Sequence, residues 1–321
     1  LELVALAEKR GLRVASADLF SGRTIAAIAR RIDGSARAAD AAHLLPLTAH
    51  AARADAREPP LILVHAVAGL VFNYVPIALR LPEYRCLGLQ ARGIEPGEVP
   101  DDDFEIMLDR YAATVAAAVP DGPLRILGYS FGGVIAHDLM RRLRPHPGPD
   151  DLLILIDPVN PALPGPPPPR TLDDVLAMGL EPTRPVLAKL VRPLLPMLPR
   201  QAKLALGRNS IRRFLAAAPE ALAFQPVSLA LTERIVAVWI AAAEMHRTAR
   251  CLPHPVRTFM LCAAERETLD QVAGWEELVG PLTRRVLPGN HFTMLAPPRL
   301  PGVTATLREA LGLTHPAPEA A

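Results

Sequence analysis

The run Leu124-Arg125-Ile126-Leu127-Gly128-Tyr129-Ser130-Phe131-Gly132-Gly133 limits the folds open to this chain more than any other. It begins as a short apolar stretch of strand type and passes into Gly-Tyr-Ser-Phe-Gly, which fits G-x-S-x-G. The apolar segment that follows, Val134 to Met140, reads as a helix. Strand, glycine-flanked serine and helix predict a nucleophile elbow, a sharp turn that lifts a serine hydroxyl clear of a sheet. Side chains at Gly128 or Gly132 would collide with the neighbouring strand or helix. The first N–H groups of the helix would face the serine, where negative charge develops in acyl transfer.

The rest of the chain alternates in the way such an elbow needs. Leu61 to Val64, Tyr84 to Gln90, Asp151 to Ile156, Val256 to Cys262 and Arg284 to Leu287 read as strands, several of them continuously apolar. Continuous apolar strands belong in a sheet covered on both faces. Helical periodicity lies between them, with Phe104, Met107, Leu108, Tyr111 and Val115 on one face of a helix from Phe104 to Val119. A helix covers Leu229 to Arg247, and a last one Val303 to Leu311. The predicted class is α/β: an α/β-hydrolase fold, mostly parallel, flanked by helices. Residues 59–315 would form this domain. The proline-rich stretch at about 160–228 breaks the alternation and is too long for a βα loop, so it is expected to be a lid inserted after the strand that follows the elbow. Residues 34–58 read as a linker, with Leu44 to Leu47 available as an edge strand, and 316–321 as a disordered tail.

Composition narrows the function. A net charge of +2 with scattered basic residues is no nucleic-acid footprint. Cys86, Cys251 and Cys262 are too few and too dispersed for a disulfide framework or a zinc site. Neither a membrane-spanning run nor a signal peptide is evident, so a cytoplasmic location is expected.

A serine nucleophile needs a base, an orienting acid and an oxyanion hole. Of nine histidines, His291 follows the last strand in a Gly-Asn-His turn and comes last in the order serine, acid, histidine. Two places can supply the acid: Asp157, at the end of the strand after the elbow helix, or Glu265 and Glu267, after the strand ending at Cys262. The oxyanion donors should be the N–H groups of Phe131 and of Val67, the latter in the small-residue loop Ala66-Val67-Ala68-Gly69. Ala68, Tyr129 and Phe292 are candidate substrate contacts.

Four segments, LILVHAVAGLVFNY, LRILGYSFGGVIAHDL, LLILIDP and PGNHFTMLAPP, resemble the signature segments of the thioesterase domains that end nonribosomal peptide and polyketide assembly lines. The resemblance spans most of Leu61 to Leu311 outside the lid. It implies Asp157 as the acid, since the interval from Ser130 to Asp157 matches the family's. One departure stands in the loop after the first signature strand, where His-Pro and Gly-Gly are usual and His65-Ala66 and Ala68-Gly69 occur. The N-terminal GLRVASADLFSGRTIAAIARRI resembles the C-terminal half of a peptidyl carrier domain, assigned to residues 1–33. In that register the phosphopantetheine-bearing serine would precede Leu1. The implied reaction releases an acyl or peptidyl chain from a carrier thioester through acyl-Ser130, by hydrolysis or macrocyclisation. The implied partners are an upstream carrier and a small peptide or polyketide substrate. The hydrolase domain itself would need no metal or cofactor, the phosphopantetheine belonging to the carrier. Two other readings share the elbow. One is a free-standing editing thioesterase or general serine esterase, against which the carrier-like segment weighs. The other is a non-catalytic binding module, against which the complete serine, histidine and acid set weighs.

Overall fold

Apolar strands with alternating side chains supply two faces, and each face needs a cover. In the computed structural model, which describes residues 43–48, 51–52, 59–161, 229–265, 273–291 and 293–313 and a few isolated positions before residue 30, both faces are covered. The described strands are β1 (Leu44–Pro46), β2 (Pro60–Val64), β3 (Arg85–Leu89), β4 (Arg125–Tyr129), β5 (Leu152–Ile156), β6 (Thr258–Ala263) and β7 (Leu282–Leu287). They form one sheet in the order β1-β3-β2-β4-β5-β6-β7. Only β1 runs antiparallel, against β3. It lies within the stretch read as linker, at the place allowed for an edge strand.

Helices among the described residues include α1 (Val75–Ala78, entered through a 3-10 turn at Phe72–Tyr74), α2 (Phe104–Ala118), α3 (Phe131–Leu143), α4 (Leu229–Thr248) and α5 (Leu300–Ala310). Ile62, Val64, Leu153 and Leu155 point to the side held by α2, α3 and α4. Leu61, Leu63, Leu152, Ile154 and Ile156 point to the side held by α1 and α5. Each such side chain contributes about 1.5–3 kcal/mol by leaving water. Helix α2 buries the stripe its periodicity predicts, Phe104, Met107, Leu108, Tyr111 and Val115. Its start is set by Asp103, an extended residue whose carboxylate accepts the Ile106 N–H at 3.0 Å. Among the described residues, no helix is long and apolar enough to cross a membrane.

Most of the expected lid, the carrier-like segment, Glu267, Phe292 and the tail lie outside the described residues.

Candidate active site

Parallel strands deliver their C-terminal ends to one rim of the sheet, and the candidate residues sit there. Tyr129 of β4 is in register with Ile156 of β5, so the next residues, Ser130 and Asp157, lie side by side. Both turn sharply. Ser130 has φ +57° and Asp157 φ +44°, and among the described residues they are the only non-glycines at positive φ. Such backbone costs about 1–3 kcal/mol per residue and persists only where neighbours enforce it. Here the enforcement is a ladder of hydrogen bonds. The Ser130 N–H donates to the Ile156 carbonyl at 2.9 Å, and the Asp157 N–H to that of Leu261 at 2.7 Å.

The turn also needs two glycines. A Cβ on Gly128 would lie 2.0 Å from the Gly132 carbonyl oxygen, and one on Gly132 would lie 2.5 Å from that of His65. The elbow therefore packs backbone against backbone, with α3 starting directly over the end of β2.

His291, in the loop after β7, joins the two. Its Nδ1 lies 2.6 Å from Asp157 Oδ2 and its Nε2 3.0 Å from Ser130 Oγ. Asp157 is fully buried, and its other oxygen accepts the Ala263 N–H at 3.1 Å. With Nδ1–H donating to the carboxylate, Nε2 presents its lone pair to the serine hydroxyl. Glu265, the described member of the alternative acid pair, instead faces Arg299 at 3.9 Å.

The histidine is braced by Tyr129. The tyrosine ring stacks on the imidazole with centroids 5.0 Å apart, and its hydroxyl donates to the His291 carbonyl. Tyr129, a candidate substrate contact in the sequence, is thus placed as a support for His291. Tyr74 acts one strand further back. Its buried hydroxyl donates to the Val64 carbonyl at 2.7 Å and accepts the Tyr129 N–H at 3.1 Å, stitching the ends of β2 and β4 together.

The loop after β2 faces the elbow. Phe131 opens α3, so its N–H has no carbonyl one turn earlier. Its ring is held between Phe104 and His246, at 6.2 and 5.4 Å. The Ala66 carbonyl accepts the Gly69 N–H at 2.9 Å, and His65 Nδ1 lies 2.8 Å from the same oxygen. His65 Nε2 meets the Tyr111 hydroxyl at 2.7 Å. Burial, opposed by the bond to Ala66, pushes the His65 pKa down to about 4. Ala68 is half-buried in the same loop.

Residues 59–311 match the family model described as Thioesterase domain. The chain belongs to the thioesterase domain family. This thioesterase domain is 29% identical, over 96% of its length, to a probable non-canonical nonribosomal peptide synthetase, CymA, of Salinispora arenicola (strain CNS-205). It is 29% identical over 47% of its length to a dimodular nonribosomal peptide synthase of Bacillus subtilis (strain 168). It spans only 4% and 6% of those two proteins. Among solved structures it is similar to the Vlm2 thioesterase domain bound with a dodecadepsipeptide, with TM-score 0.60, 20% identity, and coverage of 86% of this chain and 99% of that one. It is also similar to the four-domain nonribosomal peptide synthetase AB3403, with TM-score 0.63, 22% identity, and coverage of 83% and 20%. At these identities the likeness is one of fold, the α/β-hydrolase fold.

Two other buried histidines of the thioesterase domain have structural partners. His137 Nε2 donates to the Leu278 carbonyl at 3.1 Å and His254 Nε2 to that of Arg144 at 2.8 Å. His137, Asp138 and Cys251 come close enough to share a cation, but Arg141 Nε lies 3.3 Å from Asp138 Oδ1 and already occupies that charge. Sequence reading missed Tyr74, His65 and the Ala263 N–H. The faint signal for His65 was a polar residue closing an otherwise apolar strand, Leu-Ile-Leu-Val-His. By its spacing Tyr111 belongs only to a core face.

Proposed function

We propose that this thioesterase domain releases a carrier-bound acyl or peptidyl chain through an acyl-Ser130 intermediate. The observation that carries the reading is a single imidazole bridging Ser130 Oγ at 3.0 Å and a buried carboxylate at 2.6 Å. Ser130 attacks the thioester carbonyl while His291 Nε2 takes its proton. Asp157 fixes the tautomer and stabilises the imidazolium. The N–H groups of Phe131 and Val67 receive the oxyanion. As the tetrahedral adduct collapses, His291 returns the proton to the departing phosphopantetheine thiol. A water, or an amine or hydroxyl of the bound chain, then attacks the ester with His291 again as base, and the acyl–Oγ bond breaks as His291 returns the proton to Ser130. The first route gives a free acid and the second a ring.

No cofactor takes part in this sequence, since every proton and electron pair is handled by Ser130, His291 and the substrate. The thioester would arrive on an upstream peptidyl carrier. Support for that partner comes from the carrier-like segment before residue 34 and from relatives that are nonribosomal peptide synthetases. Intact mass spectrometry after treatment with a fluorophosphonate checks the nucleophile, with a single adduct mapping to Ser130 as the expected result. A panel of peptidyl thioester mimics, analysed for acids and rings, checks the outcome of release. An adduct at another residue would sink the proposal.

A further inference from the structure

We infer that His65 and Tyr111 form a positioning pair that aims the Val67 N–H at the oxyanion, an inference that rests on the acyl-serine reading above. His65 is buried and neutral, so one ring nitrogen carries hydrogen and the other a lone pair. A carbonyl can only accept, so Nδ1 donates to the Ala66 oxygen, and Nε2 must accept from the Tyr111 hydroxyl. The tyrosine therefore selects the tautomer that grips the carbonyl.

That grip sets an orientation. The Ala66 oxygen is held from two sides, by His65 Nδ1 at 2.8 Å and by the Gly69 N–H at 2.9 Å. The Ala66–Val67 peptide is planar and trans, so its N–H points opposite to its C=O. Fixing the oxygen inward turns the Val67 N–H outward, and that N–H makes no hydrogen bond among the described residues. The start of α3 lies against the same loop, as the carbonyls of Val64 and His65 beside Gly132 require. The chain Tyr111 O–H, His65, Ala66 C=O also polarises the peptide, strengthening Val67 as a donor. Tyr111 itself is rigid, because it sits on the buried stripe of α2.

The test uses the full chain, an acyl N-acetylcysteamine thioester, and two ketones carrying the same acyl chain. The trifluoromethyl ketone forms a tetrahedral adduct on the serine, whereas the methyl ketone mimics the ground state. Tyr111→Phe keeps the ring and its packing. It is expected to lower kcat about tenfold, to change KM less than about twofold, and to weaken the trifluoromethyl ketone in proportion to kcat with the methyl ketone unaffected. His65→Leu is expected to lose about 10²-fold in kcat. His65→Asn places an amide N–H where Nδ1 stood and should recover part of that loss. Wild-type kcat in folded Tyr111→Phe, or equal weakening of both ketones, would overturn the positioning role. Absence of fluorophosphonate labelling at Ser130 in the wild type would instead overturn the acyl-serine reading beneath it, so the two failures are distinguishable.

Discussion

Single residues divide the chemistry here by environment. Asp157 and Glu265 each follow a parallel strand, yet one is sealed beneath His291 and the other is exposed beside Arg299. Asp157→Asn is expected to fold normally and lose on the order of 10²–10⁴-fold in turnover, because the amide no longer fixes the imidazole tautomer. Glu265→Gln should change turnover little. Steady-state assays of the two variants side by side check the assignment, and Ser130→Ala, losing at least about 10³-fold, sets the floor. His65 makes a separate prediction about pH. Its folded pKa of about 4 lies below the unfolded value near 6.5, so the unfolded chain binds more protons between the two. Stability therefore rises with pH across that window and falls as pH drops from 6.5 toward 4. Chemical denaturation at pH 7 and pH 4.5 should show the wild type losing about 2 kcal/mol more than His65→Asn on acidification. Equal losses would contradict the burial assigned to this ring.

At the scale of elements, the sequence was legible wherever side-chain period alone decided the structure. The buried stripe of α2 and the apolar runs of β2 and β5 follow from spacing, and each is found where expected. Contacts made by backbone groups across strands were not legible. The Ala263 N–H reaches Asp157 only because β6 pairs beside β5 in one register, and the Tyr74 hydroxyl reaches Val64 and Tyr129 only because a 3-10 turn folds back over two strand ends. Ser130 and His291 could be named because chain order on this fold is stereotyped, and Asp157 because the family resemblance implied it, whereas their mutual distances depend on those cross-strand contacts. Helix starts fall between the two cases. Asp103 is a good N-cap by type, and its bond to Ile106 shows what it does for α2. Asp103→Ala is expected to cost about 1 kcal/mol, measured as a lowered denaturation midpoint with unchanged m.

For the whole molecule, the sheet begins before the family match does. The match starts at residue 59, but β1 covers the outer edge of β3 from Leu44 to Pro46, and Leu45 and Leu47 are buried. A chain shortened to begin at Pro59 would lose that burial, about 1.5–3 kcal/mol for each leucine, and would bare a strand edge made of Leu87, Gly88 and Leu89. It is expected to melt lower and to aggregate, whereas a chain beginning at His43 should stay monodisperse. Light scattering of the two on heating decides the matter. The C-terminal helix is fastened differently. Arg308 on α5, itself buried, donates to the Arg80 carbonyl and to both oxygens of Glu83. Arg308→Met should cost about 2 kcal/mol, less than a fully buried pair would, because Glu83 keeps access to water.

The left-handed backbone at positions 130 and 157 has a consequence over evolutionary time. Only at 130 would the chain gain by replacing the residue it carries, since glycine relieves that conformation, whereas the Asp157 carboxylate satisfies the buried Ala263 N–H and would be missed. Ser130→Gly should raise the thermal midpoint while abolishing release. A duplicated copy freed from the demand for turnover would therefore drift downhill first at position 130. Its descendants would be hardier than the working enzyme and chemically silent.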